Sequence, residues 1–65
     1  MCQSSVYILE DDKERELKKD VVLVEPLENG VMIQGFFESP LTVPARIVKI
    51  DLLKHKIILE PLDRR

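Results

Sequence analysis

The most distinctive chemistry in this sequence stands at its first two positions. Cys2 is the single cysteine among 65 residues and directly follows Met1. With Met1 retained, its terminal amine, the Cys2 amide nitrogen and the Cys2 sulfur close two fused five-membered chelate rings on one metal ion. That donor set is planar. Nitrogen and thiolate donors in a plane suit Ni(II) or Cu(II), whereas Zn(II) prefers a tetrahedral set that a deprotonated amide supplies poorly. One chain offers too few strong ligands, but a two-fold axis beside the first strand would bring a second Cys2 and complete a square of sulfur and nitrogen. If Met1 is removed, the Cys2 amine takes its place. The competing reading leaves Cys2 without a ligand role, as a small residue at a chain end, where order is commonly lost.

Other reactive side chains form no such set. His55 is the only histidine and lies between Lys54 and Lys56, with no serine or carboxylate placed as its partner. It reads as a solvated turn residue. Glu10, Asp11, Asp12, Glu14 and Glu16 lack the ordered Asp/Asn spacing and glycine of a hard-cation loop, and read as a solvated face. No nucleophile and base are paired, so no enzyme is expected.

A single domain spanning residues 1–65 must position these groups. For 7.5 kDa, surface scaling gives about 4,200 Å² folded against about 10,900 Å² unfolded, a marginal core of the kind that disulfides, a metal or a partner usually supplement. One cysteine excludes an internal disulfide, so a metal or a second copy remains. With 45% hydrophobic and 34% charged residues and a formal charge of −2, the chain has the balance of a globular module and not of a disordered one. Its longest apolar stretches fall far short of the roughly 18 residues a membrane span needs. A basic, then apolar, leader is not found at Met1, so a cytoplasmic protein with a reduced thiol is expected.

The apolar runs are short, rich in β-branched residues and separated by turn chemistry, which favours strands. The sequence predicts strands over Ser4–Leu9, a short return over Glu14–Leu17, Val21–Glu25 closed by Pro26, Val31–Phe37, Leu41–Val43, Ala45–Leu52 and Ile57–Glu60. Asn29-Gly30 marks a tight hairpin turn with positive φ, and Gly35 a bulge or close approach. Ile47, Ile50 and Leu53 also fit a helical spacing, but Thr42-Val43-Pro44 before them disfavours helix initiation. The expectation is an all-β fold, a small antiparallel barrel of five to six strands whose closure removes exposed edges. In Val6-Tyr7-Ile8-Leu9 and Val21-Val22-Leu23-Val24 both alternating faces are apolar, although a barrel has one inside. A homodimer would cover the surplus; tolerated exposed aliphatics are the alternative.

Several of these stretches resemble a known family. Met1-Cys2, Asp20-Val21-Val22 followed by Val24-Glu25, Val31-x-Ile33, and above all the run from Ile47 to Glu60 (IVKIDLLKHKIILE) are similar to the CooT-type small nickel-binding proteins. The resemblance spans nearly the whole chain and is weakest from Gly35 to Pro44. It implies a β-barrel homodimer binding Ni(II) at the N-terminal cysteines, with Cys2 as the metal residue and Met1 contributing its amine or backbone. It also implies a metallochaperone role in nickel supply to carbon monoxide dehydrogenase, with that enzyme or a maturation factor as partner.

Relatives of this kind have also been labelled RNA-binding, which makes a small RNA-binding barrel the alternative. Residues 1–33 hold four basic and eight acidic side chains, a net −4, while 34–65 hold six basic and four acidic, a net +2. Arg46, Lys49, Lys54, Lys56, Arg64 and Arg65 could form a basic stripe. Against it stand the negative total and the few aromatics, Tyr7, Phe36 and Phe37, two of them expected in the core. A third alternative, a purely structural or protein-interaction module, would use the apolar outer face and leave Cys2 idle.

Overall fold

The computed structural model describes residues 3–62. Six strands, β1 (Ser4–Glu10), β2 (Lys13–Leu27), β3 (Gly30–Gly35), β4 (Leu41–Val43), β5 (Ala45–Asp51) and β6 (Lys56–Pro61), form one sheet in the order β4-β3-β2-β1-β6-β5. The all-β expectation holds, including a strand where a helix had competed at 45–51. The wholly antiparallel barrel does not. β1 and β6 run parallel, with Ser5 opposite Lys56 and Ile8 opposite Leu59. These are the first and last strands of the chain, so no hairpin fixes their relative direction. The sheet curls into a half-barrel whose two edge strands, β4 and β5, are consecutive in sequence with only Pro44 between them. Pro44 cannot donate to either ladder, and its carbonyl accepts a hydrogen bond from the Leu62 amide at 3.1 Å.

The curl originates in β2. Glu14–Leu17 and Val21–Glu25, expected as separate strands, belong to one strand of 15 residues. Its first part pairs with β1 and its second with β3, and Val21 belongs to both ladders, opposite Ser4 on one side and Gly35 on the other. Asp20, just before this junction, adopts a positive φ of 51°, and pairing is irregular on both sides of Val21. Bulges of this kind bend a strand and increase its twist, so the second half of β2 carries β3 and β4 across the face of β1 and β6. Pro26 sits inside the strand, opposite Val31. It is tolerated because this half of β2 is paired on one side only.

Two hairpin turns exchange the chemistry expected of them. The β2–β3 hairpin forms at Glu28-Asn29, with Leu27 opposite Gly30, but neither Asn29 nor Gly30 has a positive φ. Asp11 and Asp12 do, at 52° and 65°, as a type I′ turn between β1 and β2 requires. Gly30 serves packing instead. A Cβ there would lie 2.6 Å from the Val43 carbonyl oxygen, at the corner where β4 leads into Pro44.

Burial follows from the bend. Val6 and Ile8 of β1, Val21 of β2, Val31 and Ile33 of β3, Ala45 of β5 and Leu59 of β6 form the buried cluster, with Leu17, Val24, Val43, Ile47 and Ile57 packed around it. Each fully buried aliphatic contributes about 1.5–3 kcal/mol, and no polar side chain among the described residues is buried with them. The exposed edge of β5 carries a bulge, Val48 being extra between the Ile47–Leu59 and Lys49–Ile58 pairs, which discourages strand addition. No helix among the described residues is long and apolar enough to cross a membrane.

Gly30→Ala should destabilise the fold by about 1–3 kcal/mol in a denaturant titration, because the new methyl meets immobile backbone and this outweighs the roughly 0.4–1 kcal/mol that alanine gains from a less flexible unfolded chain. Gly35→Ala, which meets the movable end of Glu38 and the Lys18 side chain, should cost less. Equal losses would contradict the close approach at Val43.

Candidate metal centre at the chain start

Met1 and Cys2, the expected metal ligands, lie outside the described residues. The structure instead fixes the frame in which the chain begins. Ser4 is paired with Val21 of β2, and Ser5 with Lys56 of β6. The Ser5 amide also donates to the His55 carbonyl at 3.0 Å. β1 is thus held on both sides from its first residues, and Gln3 before it is exposed. His55 is an exposed residue of the β5–β6 turn with φ 55°, in agreement with the sequence reading. Among the described residues no three His, Cys, Asp or Glu side chains gather as a metal-binding group.

The start of β1 is flanked by two apolar turns. Lys56, Ser5 and Ser4, Val21 and Gly35 follow one another across the sheet, so the ends of β6 and β3 are three strand spacings apart, about 14 Å. Beyond β3 lies the turn Gly35–Glu38, closed by the Glu38 amide on the Gly35 carbonyl at 3.4 Å and by Gln34 Nε2 on the Glu38 carbonyl at 3.0 Å. An ion pair from Lys18 to Glu38 ties it to β2. Its two central residues are Phe36 and Phe37, with ring centroids 4.2 Å apart. The expectation that two of the three aromatics lie in the core fails here: Phe36 is 64% and Phe37 93% exposed. Phe37 also has φ 59°, in the turn position that glycine or asparagine normally takes. Beyond β5 lies the other turn, where the Lys54 amide donates to Asp51 Oδ1 at 3.1 Å. Leu52 and Leu53 project from it, 80% and 88% exposed. The strands expected over Val31–Phe37 and Ala45–Leu52 end earlier, at Gly35 and Asp51, which places Phe36, Phe37 and Leu52 in turns. Their signal was paired large apolar residues inside turn segments, Phe36-Phe37 before Ser39-Pro40 and Leu52-Leu53 before Lys54.

Two of the four described residues of the basic stripe are engaged in ion pairs. Arg46 is paired with Glu60, at 3.0 Å from Nε and 2.6 Å from the second nitrogen, across β5 and β6. Lys56 Nζ lies 2.6 Å from Glu14 Oε1 and 4.8 Å from the centre of the Tyr7 ring. Lys49 and Lys54 are exposed, while Arg64 and Arg65 lie outside the described residues. At the far hairpin Arg15 binds Glu10 through two nitrogens, at 3.0 and 3.2 Å. The hydrogen bond and charge of Arg15 hold the Glu10 carboxyl below its ordinary range. The hydrogen bond from Lys56 to Glu14, more than any charge effect, raises the Lys56 ammonium above its ordinary value.

Comparison with known proteins places the whole chain. The family described as CO dehydrogenase accessory protein CooT matches residues 1–60. An uncharacterised protein of Methanothermobacter thermautotrophicus is 35% identical over 63 residues, covering 97% of this chain and 94% of its own. The crystal structure of a protein assigned as CooT from Carboxydothermus hydrogenoformans is similar with a TM-score of 0.83 and 31% identity, over 95% of this chain and 100% of that one.

A raised lysine pKa means that the Lys56–Glu14 link is fully present below lysine's unfolded value and is lost as pH rises through the folded one. In Glu14→Gln the Lys56 titration, followed by NMR at the side-chain methylene next to Nζ, should move down toward that of a free lysine. An unchanged titration would show that the ion pair does not form in solution.

Proposed function

The chain belongs to the CooT family, described as CO dehydrogenase accessory proteins, and from that membership we propose that it carries Ni(II) at the N-terminal cysteines of a homodimer and supplies it for maturation of carbon monoxide dehydrogenase. Members of this family are accessory proteins and not catalysts. The donor chemistry of Met1 and Cys2 supports nickel as the cargo. Amine, amide nitrogen and thiolate form a planar set that matches Ni(II) better than the tetrahedral Zn(II). The observation that carries the proposal is the family match, which begins at residue 1 and so includes these two residues.

Dimerisation draws support from the exposed aliphatic surface beside the chain start, including Val22, which the structure leaves 61% exposed. Two chains meeting there would supply two thiolates and two nitrogens. The recipient enzyme, or a maturation factor acting before it, is the corresponding partner. RNA binding finds one feature in its favour, the exposed Phe36–Phe37 pair on which bases could stack. The ion pairs of Arg46 and Lys56 and the negative total charge weigh against it.

Titration of Ni(II) into protein with its native N-terminus should saturate at one ion per two chains and produce thiolate-to-metal charge-transfer absorption. Cys2→Ser, or any extension ahead of Met1, should lower affinity by at least about a hundredfold, and tight binding in either would sink the N-terminal site. Affinity should climb with pH because amine, amide and thiol must all lose protons; a flat profile would point to carboxylate ligands.

A further inference from the structure

Asn29 is the single asparagine of the chain, and a glycine follows it. That pairing carries an intrinsic reaction. The backbone nitrogen of the following residue, once deprotonated, attacks the side-chain amide carbon, and a glycine without Cβ leaves that nitrogen open to react. The new C–N bond closes a five-membered succinimide, the side-chain nitrogen leaves as ammonia, and water then opens the ring at either carbonyl. The products are aspartate or isoaspartate, with one negative charge gained and no oxidant or reductant required. Asn29 is exposed in the β2–β3 turn, where water reaches it. Gly30, which supplies the attacking nitrogen, is buried and held opposite Leu27 as the first residue of β3. A Cβ on Gly30 would lie 2.6 Å from the Val43 carbonyl oxygen and 3.7 Å from the Pro44 Cα. Main chain therefore packs directly against it, and turning its nitrogen toward the Asn29 side chain requires this part of β3 to leave its place.

We propose that Asn29 is a deamidation site whose reaction is held off by the packing of Gly30 against Val43 and is released when the corner formed by β3 and β4 opens. That corner is anchored on both sides. Val43 pairs with Val31 of β3, and the Pro44 carbonyl accepts a hydrogen bond from the Leu62 amide at 3.1 Å. β4 is nevertheless an edge strand of three residues, and short peripheral elements open at a smaller free energy than the whole fold. Each opening frees Gly30 for attack, so the rate of the reaction reads the population of the open corner. The outcome is one-way. Aspartate adds a charge beside Glu28. Isoaspartate also adds a methylene to the main chain of a two-residue turn, whose length sets the register of Leu27 with Gly30. The lengthened turn displaces Gly30 from its place against Val43, so the corner stays loose in the modified chain.

The test follows the full chain over days at neutral and mildly alkaline pH, folded in buffer and unfolded in guanidinium. Conversion of Asn29 is read by peptide mass spectrometry, and isoaspartate by enzymatic carboxyl methylation. In the unfolded chain Asn29 should convert readily, and faster at higher pH because the Gly30 amide must lose its proton. The folded chain should convert at least about tenfold more slowly, since the corner must open first. Val43→Ala, which thins the packing at the corner, should speed conversion of the folded chain by at least about threefold and leave the unfolded rate unchanged. Asn29→Gln should gain no acid at this position in either state over the same period. The separated isoaspartate form should unfold at lower denaturant than the unaltered chain. Equal rates in the folded and unfolded chain overturn the gate, and an unfolded chain that keeps its asparagine overturns the site. A folded rate indifferent to Val43→Ala, in a variant shown by circular dichroism to fold, overturns the role of the corner.

Discussion

A 15-residue strand cannot bury its apolar side in a chain this short unless it bends. β2 bends at Asp20 and Val21, and the rest of the structure depends on that bend. Val21 is the one residue shared by the ladder to β1 and the ladder to β3. From there the second half of β2 lays Val31 and Ile33 over Val6, Ile8 and Leu59, and these are among the most deeply buried side chains in the protein. A straight β2 would leave two thin sheets, each with one wet apolar face. The same bend sets the corner at Pro44, where β4 ends and β5 begins, and it brings Val43 so close to β3 that only glycine fits at position 30.

The bend also decides what remains uncovered. Folding two halves of one sheet onto each other buries a single inner face, and the outward residues of β2 and the turn tips stay in water. Charge explains how part of that exterior is kept soluble. Arg15 with Glu10 and Arg46 with Glu60 link neighbouring strands, while Lys56 reaches over β1 from β6 to Glu14 of β2, so part of the polar exterior is charge-compensated. Leu27, Leu41, Val48 and Leu62 are exposed elsewhere, while the most exposed of the apolar side chains, Phe37, Leu52 and Leu53, lie at the end of the sheet where the chain begins. That is the same end at which a metal bound by Met1 and Cys2 would be held.

This division of labour suits an accessory protein. On the proposed nickel reading, the ligands precede the first strand, so loading and release would not require the packing of Ile33 and Leu59 to change. The fold's contribution is to anchor β1 from Ser4 onward, between Val21 and Lys56, so that the terminal donors start from a fixed place.

Much of this was legible from the residues in order. β-branched runs broken by Pro, Gly and charged clusters located the strands, although β2 was read as two, because strand periodicity and turn chemistry are local properties. The donor set proposed at Met1 and Cys2 is a reading of the sequence alone, because both residues lie outside the described ones. What only the tertiary structure decided depends on contacts between distant segments. Asp20 carries no local mark of a bend; it acquires one because β1 and β3 pair on opposite sides of Val21. Gly30 reads as a turn glycine, yet its role is set by Val43, thirteen residues away in sequence and adjacent in space. The parallel pairing of β1 with β6 joins strands separated by the whole chain, which no local pattern can orient. Phe36 and Phe37 have the composition of a core and sit outside it, because the core was already filled by residues that the bend in β2 brings together.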